Sequence, residues 1–430
     1  MMKITTAKRG LVGEVTVPGD KSISHRALIL GALAEGITEI ENFLVAKDTL
    51  ATLNCLKKFG VRIIRSNAKV KVFGTNQNFS EPQDILNAQN SGTTIRLLAG
   101  VAASFPFVTL FTGDRSLRQR PMKRVLEPLS QMGAKVLGRL GDEYAPFAIK
   151  GTTLTGRDFT LKKASAQVKS SLLLAGLNAR GTTSVTEPEL SRDHTERMLQ
   201  SFGVKLKRDK NTVEITGGQK LHGQKVIVPG DFSSAAFFLV AALIVPESHL
   251  VIRNVGLNPT RTGLLTVLKE MGGKIKVLNL RENGGEPVGD LEVKSSSLKA
   301  VEVPPEIVPA MIDEFPILAV ALAHAAGVSA VRGAEELRVK ESDRIKSIVE
   351  EFRKMGAEIE ELPDGFKITG GNKLFGTIVD SHHDHRIAMT LAVLGLTAKG
   401  ATEILNAQAV SISYPEFFSQ LQNLLKERSR

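Results

Sequence analysis

The chain has 430 residues, more than one ordinary core accommodates, so two domains are expected. With 42% hydrophobic and 23% charged residues it is typical of a globular protein, and no apolar run reaches the roughly 18 residues that a membrane span needs. The single Cys55 excludes internal disulfides and cysteine-based metal clusters, and the opening MMKITTAKRG does not resemble a signal peptide, so we expect a cytoplasmic protein.

The net charge of +11 raises the question of a nucleic-acid partner. Lysine and arginine are spread along the chain, however, and 2 Tyr with 0 Trp offer few rings for base stacking. A strongly anionic small substrate accounts for the charge equally well. We therefore expect small anionic substrates and neither a nucleic-acid nor a membrane partner, with a non-catalytic RNA-binding module as the alternative from another class.

The first element of the chain is repeated later. VPGDKSISHRALILGAL (17–33) returns as VPGDFSSAAFFLVAAL (228–243), with Lys21 replaced by Phe232 and Arg26 by Phe237. Similar helix starts, in which small polar or charged residues precede an Ala/Leu-rich run, follow Ser91, Ser165, Asp313 and Asp384. Because these runs are apolar nearly all round, the six helices should be buried.

A second recurring piece is an amphipathic run that stops at a glycine before an alternating, strand-like stretch. The five glycines are Gly60, Gly133, Gly203, Gly272 and Gly356. Together the two pieces predict repeats of about 70 residues, each with a strand, a buried helix, a strand, an amphipathic helix and paired strands.

This pattern predicts an α/β (α+β) fold of two similar domains, each with three βαβαββ units. The repeated VPGD marks the crossings between them, so the boundaries are placed near residues 19 and 228. One domain would comprise residues 20–228 and the other residues 1–19 with 229–430. An elongated solenoid is the alternative, but the repeat is too long and its glycines too irregularly spaced.

Helix N-termini are natural anion sites because their backbone N–H groups and dipole attract negative charge. Serine, threonine and aspartate there can be ordinary N-caps. Cations oppose the dipole, so Lys21, Arg26, Arg96 and Arg386 point to bound anions.

Two further segments are charged. TGDRSLRQRPMKRVLEPL (112–129) gathers five basic residues, among them Arg120, where the alternative is a solvated face. ELRVKESDRIKSIVEEF (336–352) places Lys340, Glu341 and Arg344 within one helical turn, where the alternative is a surface ion-pair ladder.

The stretches PGDKSISHRAL, NSGTTIRLL, RQRPM, SAQVKSSLLLAGL, RVKESDR and HDHRIAM occur in this order. With them the chain resembles the 5-enolpyruvylshikimate-3-phosphate synthase family over essentially its whole length. SAQVKSSLLLAGL and LSRDHTERML resemble its variant bacterial subgroup. The resemblance implies transfer of the enolpyruvyl group of phosphoenolpyruvate to the 5-hydroxyl of shikimate 3-phosphate, through a tetrahedral intermediate and with release of phosphate. It implies no metal and no organic cofactor.

The resemblance also implies roles for residues at matching motif positions. The residues expected to bind shikimate 3-phosphate are Lys21, Ser22, Arg26, Ser165, Gln167, Asp313 and Lys340. Those expected to bind phosphoenolpyruvate are Lys21, Gly92, Arg120, Gln167, Arg344 and Arg386. Planar arginine forks and a lysine point charge suit two anionic substrates.

The reaction needs a base for the attacking hydroxyl group and a proton donor for the methylene carbon. Asp313 as base and Glu341 as acid would supply them, and Lys21 is a rival proton donor. Among cations a carboxyl group normally has a lowered pKa, so an acidic Glu341 needs desolvation. Domain closure, which expels water, is expected to provide it.

Two positions depart from the family pattern. Many relatives have a lysine just before a late aromatic-Pro pair, where this chain has Ser411 and Ile412. The sequence Ser165-Ala166-Gln167 has one polar contact fewer than usual, which leaves the roles of Lys169, Ser191 and Arg192 open. Gly92, which has no side chain, leaves a small open site beside the phosphoenolpyruvate pocket, so we expect inhibition by glyphosate.

The nearest alternative is the sister enolpyruvyl transferase that acts on UDP-N-acetylglucosamine. Its characteristic cysteine has no counterpart in residues 108–124, and Cys55 lies in an amphipathic run. A relative of RNA 3′-phosphate cyclase would require a nucleotide site, for which no signature is present. SHHDHR (381–386) could ligate zinc, but the neighbouring Arg386 favours an anion. We expect a monomer without a metal.

Overall fold

The computed structural model describes residues 1–425. Its strands are β1 (Met2–Thr5), β2 (Val12–Thr16), β3 (Ile37–Glu41), β4 (Arg62–Ser66), β5 (Lys69–Phe73), β6 (Leu86–Asn87), β7 (Val108–Thr112), β8 (Lys135–Gly138), β9 (Tyr144–Lys150), β10 (Asp158–Thr160), β11 (Thr182–Thr186), β12 (Leu206–Asp209), β13 (Thr212–Thr216), β14 (Lys225–Ile227), β15 (His249–Gly256), β16 (Lys274–Asn283), β17 (Glu286–Lys294), β18 (Glu302–Val303), β19 (Gly327–Val331), β20 (Glu358–Leu362), β21 (Gly365–Gly370), β22 (Ile378–Asp380) and β23 (Ala401–Leu405).

Helices alternate with these strands. They are α1 (Lys21–Leu33), α2 (Lys47–Lys58), α3 (Gly92–Ala102), α4 (Lys123–Gln131), the single turn α5 (Arg139–Asp142), α6 (Ala166–Gly176), α7 (His194–Ser201), α8 (Phe232–Ile244), α9 (Gly263–Glu270), α10 (Phe315–His324), α11 (Arg344–Lys354), α12 (His385–Gly395) and α13 (Phe417–Leu424). Short 3₁₀ helices are Leu117–Gln119, Pro305–Ala310, Glu335–Val339 and Ala407–Ile412. None of the described helices is both long and apolar enough to cross a membrane.

Within residues 1–425 the strands form six sheets that repeat one arrangement. In five of them a lead strand pairs in parallel with the strand after a buried helix, which pairs in turn with an antiparallel hairpin. These five have the orders β14-β3-β5-β4, β6-β7-β9-β8, β10-β11-β13-β12, β2-β15-β17-β16 and β18-β19-β21-β20, and the sixth is β22-β23-β1. The predicted fold of βαβαββ repeats is confirmed.

The chain falls into two compact units. The N-half unit comprises Gly19–Val228 and the short segment Glu282–Glu286. The C-half unit comprises Met1–Pro18, Pro229–Arg281 and the described residues from Pro287 onward. Nothing in the sequence indicated that the tip of the β16–β17 hairpin would group with the N-half unit.

Each unit has its own core, built on the buried helices. In α8 every residue from Phe232 to Leu243 is buried, as expected for a helix that is apolar on all sides. Phe232 and Phe237, which replace Lys21 and Arg26 in this repeat, are each 1% exposed. Burying each such side chain contributes about 1.5–3 kcal/mol to stability.

The helix boundaries follow from the residues at both ends. Five of the six buried helices begin with a side-chain cap, from Asp20, Ser91, Ser165, Asp231 and Asp384. The five glycines predicted to end amphipathic helices have positive φ, from 86° at Gly60 to 117° at Gly133. Glycine adopts this left-handed conformation without steric cost, so the chain can leave the helix there.

Candidate active site

In the N-half unit the first residue of α1 is a lysine held by a carboxylate. The Nζ atom of Lys21 lies 3.1 Å from Oδ2 of Asp48, in the first turn of α2. Asp48 offsets the unfavourable interaction between the lysine and the positive end of the α1 dipole. The side chain of Lys21 is 17% exposed, so solvent still reaches a tethered cation.

One turn later in α1, Arg26 is almost completely buried. Its Nε donates to Oγ1 of Thr195 at 2.6 Å and its Nη2 to Oγ of Ser170 at 2.8 Å. A third donor, Nη1, bonds to the carbonyl oxygen of Ser22 at 3.0 Å. Burial lowers the pKa of Arg26 to about 10, and Glu196 opposes that shift. The guanidinium group is therefore rigidly held at the start of α1.

At the start of α3 two guanidinium groups converge on Gly92. A Cβ atom on this glycine would lie 2.7 Å from Nη1 of Arg96 and 3.5 Å from Nη1 of Arg120. Arg120 follows the short 3₁₀ helix after β7 and donates through Nη2 to Oδ1 of Asn90 at 2.8 Å. Two cations at a helix N-terminus, with no side chain between them and the backbone, form a site suited to an anion.

The start of α6 is connected to the start of α3. Gln167 accepts a hydrogen bond from Nη1 of Arg96 at 2.6 Å and donates to Oγ1 of Thr93 at 3.1 Å. Ser165 caps α6 through its hydroxyl oxygen, 3.5 Å from the backbone nitrogen of Val168. The structure thus brings Gln167 to the Gly92 site.

Lys169, a further candidate on α6, is not a ligand exposed at the helix start. Its Nζ lies 2.7 Å from Oε2 of Glu187 and 2.8 Å from Oε1 of Glu196, and its side chain is 3% exposed. Ser191 is likewise turned toward Glu187, to which its hydroxyl group donates at 2.6 Å. The sequence left the role of Lys169 open, and two glutamates that follow it in the chain determine where its ammonium group lies.

In the C-half unit the centre of the candidate site is Arg344, at the first position of α11. Its Nη2 lies 2.6 Å from Glu341, its Nη1 3.3 Å from Asp313 and its Nε 2.8 Å from Asp384. The Arg344 side chain is 1% exposed. The predicted base and the predicted acid are therefore held by one buried guanidinium group.

Burial and charge act in opposite directions in this cluster. Burial by itself would lower the pKa of Arg344, but Asp384, Glu341 and Asp313 raise it far above the ordinary arginine value. Burial would raise the pKa of Asp384, and Arg344 overcomes this, so the net shift is downward. For Lys340, whose side chain is 25% exposed, desolvation outweighs Glu336 and Asp313, and its pKa is lowered.

Arg386, the second residue of α12, lies beside Asp313. Its Nη1 donates to the carbonyl oxygen of Asp313 at 3.0 Å, and its Nη2 lies 3.6 Å from Oδ2 of the same residue. The Nη1 atom is also 3.8 Å from Oε1 of Glu314. Asp313, Glu341, Arg344 and Arg386 thus form one group, with Lys340 adjacent in sequence to Glu341.

A buried arginine at the start of α8 was missed by the sequence reasoning. Arg261 is 3% exposed, and its Nη2 donates to Oγ of Ser233 at 2.8 Å and lies 3.3 Å from Oδ1 of Asp231. Ser233 in turn donates to Glu314. The start of α8 therefore does have a cation beside it, which is Arg261 from the loop NPTRTG (258–263). The repeat could have indicated Arg261, because it lies in the loop after strand β15 just as Arg120 lies in the loop after strand β7.

The histidines of SHHDHR do not meet at one point suited to a metal. Within the described residues one group has metal-ligand spacing, formed by Glu350, Glu351 and His382 with ligand atoms within 4.8 Å of one another. Lys354 already lies 2.8 and 2.9 Å from the two carboxylate oxygens of Glu351. A cation would have to displace this ammonium group.

The remaining residues singled out in the sequence lie in ordinary surroundings. Ser411 and Ile412 end the 3₁₀ helix Ala407–Ile412 and are half-buried. Cys55 is buried in α2, with Sγ 3.7 Å from the carbonyl oxygen of Asn87, and burial raises its pKa to about 12. A protonated, packed thiol fits a structural role.

Two units of βαβαββ repeats define the class of the protein. In the N-half unit cations gather at the starts of α1 and α3, and in the C-half unit carboxylates surround Arg344. Two units with these repeats and these charged helix starts are characteristic of the enolpyruvyl transferase fold.

The chain belongs to the EPSP synthase family. The family model described as EPSP synthase (3-phosphoshikimate 1-carboxyvinyltransferase) matches residues 5–421. The 3-phosphoshikimate 1-carboxyvinyltransferase of Carboxydothermus hydrogenoformans is 79% identical over 424 residues, 99% of both chains. That of Bacillus subtilis is 50% identical over 419 residues, 97% of this chain and 98% of the other. The solved EPSP synthase of Acinetobacter baumannii has a TM-score of 0.89 at 43% identity and covers 98% of this chain and 97% of its own.

Proposed function

We propose that this chain transfers the enolpyruvyl group of phosphoenolpyruvate to the 5-hydroxyl group of shikimate 3-phosphate and releases phosphate. Membership of the EPSP synthase family supports this activity. In the addition step the hydroxyl oxygen bonds to C2 of phosphoenolpyruvate, the hydroxyl proton goes to a base, and the methylene carbon gains a proton. In the elimination step the tetrahedral intermediate loses phosphate and one methyl proton, which restores the carbon–carbon double bond.

Shikimate 3-phosphate is proposed to bind to residues of both units. In the N-half unit these are Lys21, Ser22, Arg26, Ser165 and Gln167, and in the C-half unit Asp313 and Lys340. The tethering of Lys21 by Asp48 and of Arg26 by two hydroxyl groups supports this assignment. Donors fixed in advance lose little side-chain entropy when an anion arrives.

Phosphoenolpyruvate is proposed to bind to Lys21, Gly92, Arg120, Gln167, Arg344 and Arg386. The convergence of Arg96 and Arg120 on Gly92 supports an anion at that point. Arginine forks can bind a carboxylate or a phosphate with two parallel hydrogen bonds. The same cations would stabilise the additional negative charge of the tetrahedral intermediate.

The observation that carries the proposal for catalysis is the joining of Asp313 and Glu341 by Arg344. Addition removes the hydroxyl proton and delivers a proton to the methylene carbon, and elimination removes one methyl proton, so a base and an acid can serve all three transfers. We assign the base to Asp313 and the acid to Glu341. A substrate anion that takes over the Arg344 guanidinium would release Glu341 and allow it to carry a proton. Lys21 is the rival proton donor.

The test is phosphate release from phosphoenolpyruvate with shikimate 3-phosphate or with UDP-N-acetylglucosamine as acceptor, both in the presence of EDTA. We expect turnover with shikimate 3-phosphate alone, and a fall in kcat of about 10²–10⁴ in Asp313→Asn and in Glu341→Gln. Turnover with the sugar nucleotide alone would contradict the proposed acceptor. A Glu341→Gln variant of full activity would assign the proton donor to Lys21.

The remaining expectations stay proposals. The protein would act in the cytoplasm as a monomer, with its two anionic substrates as partners and without a nucleic acid or a membrane. The sister enolpyruvyl transferase has no support beyond the shared fold, since residues 108–124 contain no cysteine.

A further inference from the structure

Beneath the start of α6 lies a cluster of buried charges that the proposed reaction does not use. Lys169 bridges Glu187 and Glu196 at 2.7 and 2.8 Å, and each of the three side chains is at most 6% exposed. Burial by itself would lower the pKa of Lys169, but Glu196 and Glu187 raise it above the ordinary lysine value. The ammonium group is therefore charged and fully engaged inside the N-half unit.

One arm of this cluster reaches Ser165. Oε1 of Glu187 accepts a hydrogen bond from the backbone nitrogen of Ser165 at 3.0 Å and from the hydroxyl group of Ser191 at 2.6 Å. Its Oε2 is the atom bound by Lys169. The buried carboxylate thus fixes the backbone from which the Ser165 hydroxyl group projects.

The other arm reaches Arg26. Thr195 and Ser170, which accept hydrogen bonds from Arg26 at 2.6 and 2.8 Å, have their hydroxyl oxygens 2.6 Å apart. Thr195 precedes Glu196 in α7, and Ser170 follows Lys169 in α6. The Lys169–Glu196 ion pair therefore holds together the two helices whose hydroxyl groups orient Arg26.

This group contains two cations, Lys169 and Arg26, and two carboxylates, Glu187 and Glu196. Lys169 pairs with both carboxylates, and Glu196 also attracts Arg26. Breaking a buried balanced group leaves an uncompensated charge, which is strongly unfavourable. The ion pairs therefore favour the arrangement in which Ser165 and Arg26 are held in place before a substrate arrives.

We propose that Lys169, Glu187, Glu196 and Thr195 are positioning residues for shikimate 3-phosphate, which hold Ser165 and Arg26 where the substrate meets them. The proposal rests on the proposed function, because Ser165 and Arg26 are ligands only if that assignment is correct. It gives Lys169 a role in positioning the proposed ligands rather than in binding the substrate.

The sharpest test is Thr195→Val, which keeps the shape of the side chain and removes the hydroxyl group that accepts from Arg26. We expect the KM for shikimate 3-phosphate to rise about tenfold, the equivalent of one lost hydrogen bond to a charged group. The KM for phosphoenolpyruvate and kcat should stay within about twofold of wild type, because they depend on other residues. Thr195→Ser, which restores the hydroxyl group, should restore the KM.

The matched control is Thr183→Val in β11. Thr183 is fully buried, and its hydroxyl group has no hydrogen-bond partner among the described residues. This control should leave both KM values unchanged. If Thr195→Val does not fold, Ser170→Ala removes the other hydroxyl group from Arg26 and allows the same comparison.

Arg26→Lys distinguishes the proposed ligand role of Arg26 from the proposed positioning role of Thr195. If it leaves the KM for shikimate 3-phosphate unchanged, the proposed ligand assignment is wrong. If it raises that KM while Thr195→Val behaves like Thr183→Val, the ligand stands and the positioning proposal is overturned. Equal rises of both KM values in Thr195→Val, without rescue by serine, would also overturn it, since that pattern indicates general structural damage.

Discussion

A Cβ atom on Gly92 would lie 2.7 Å from Nη1 of Arg96, the nitrogen that donates to Gln167. The backbone of α3 and the guanidinium group are thus in contact, with no room for a methyl group. Because the clash is with the end of an arginine side chain, α3 can stay in place while Arg96 moves.

We predict that Gly92→Ala folds normally and disturbs the anion site. Displacing Arg96 should weaken its bond to Gln167 and raise the KM for phosphoenolpyruvate about tenfold or less. Glyphosate, an anion longer than phosphoenolpyruvate, should lose more, with its inhibition constant rising by more than about tenfold. Steady-state inhibition at several phosphoenolpyruvate concentrations measures both. Inhibition equal to that of the wild type would mean that glyphosate does not approach Gly92.

The positions of the helix starts could be predicted because they depend on local chemistry. Capping by Ser91 and by Asp384, and the turn at Gly60, each involve residues a few positions apart. The apolar runs between them fix which helices are buried. The α/β fold therefore followed from the sequence, and the family resemblance supplied the chemistry.

The partners across the fold could not be predicted in this way. Asp48 meets Lys21, Arg261 meets Ser233 and Thr195 meets Arg26 because sheets bring separate loops and helices to one helix start. These pairs are 27, 28 and 169 residues apart in sequence. No local periodicity encodes such pairing.

Lys340 should set the upper pH limit of activity. Its pKa is lowered by desolvation, so its ammonium group is lost at a lower pH than that of free lysine, about 10.4. We expect kcat/KM for shikimate 3-phosphate to fall as the pH rises through that lowered pKa. In Lys340→Arg, whose side chain stays charged, this fall in kcat/KM should occur at a higher pH, even if the overall rate is lower.

Protein stability distinguishes this effect from alkaline unfolding. Between the lowered pKa and the ordinary value the unfolded state binds more protons at Lys340 than the folded state, so this residue's contribution to stability rises with pH. The free energy of unfolding, measured by urea titration across the same pH range, should therefore not fall on account of Lys340. An alkaline limb of the same position in Lys340→Arg would assign the limit to another group.

The thiol of Cys55 should be unreactive in the folded enzyme. Burial and a pKa of about 12 leave almost no thiolate near neutral pH. We predict no reaction with an aromatic disulfide reagent until denaturant is added, and then one thiol per chain. Cys55→Ala should keep kcat and both KM values and lose about 1–2 kcal/mol of stability. Rapid modification that abolishes activity would instead favour a role like that of the sister family's cysteine.

Ser233→Ala should affect phosphoenolpyruvate binding from outside the proposed ligand set. Ser233 accepts from Arg261 and donates to Glu314, whose carboxylate lies 3.8 Å from Arg386. Without this hydroxyl group the buried charges on either side lose their link, at a cost of about 1–3 kcal/mol in stability. We expect the KM for phosphoenolpyruvate to rise about threefold to tenfold as Arg386 loosens, while the KM for shikimate 3-phosphate changes less. Ser234→Ala, at the neighbouring buried serine of α8, is the control, and an equal rise there would mean that α8 itself, rather than the Ser233 hydroxyl group, supports Arg386.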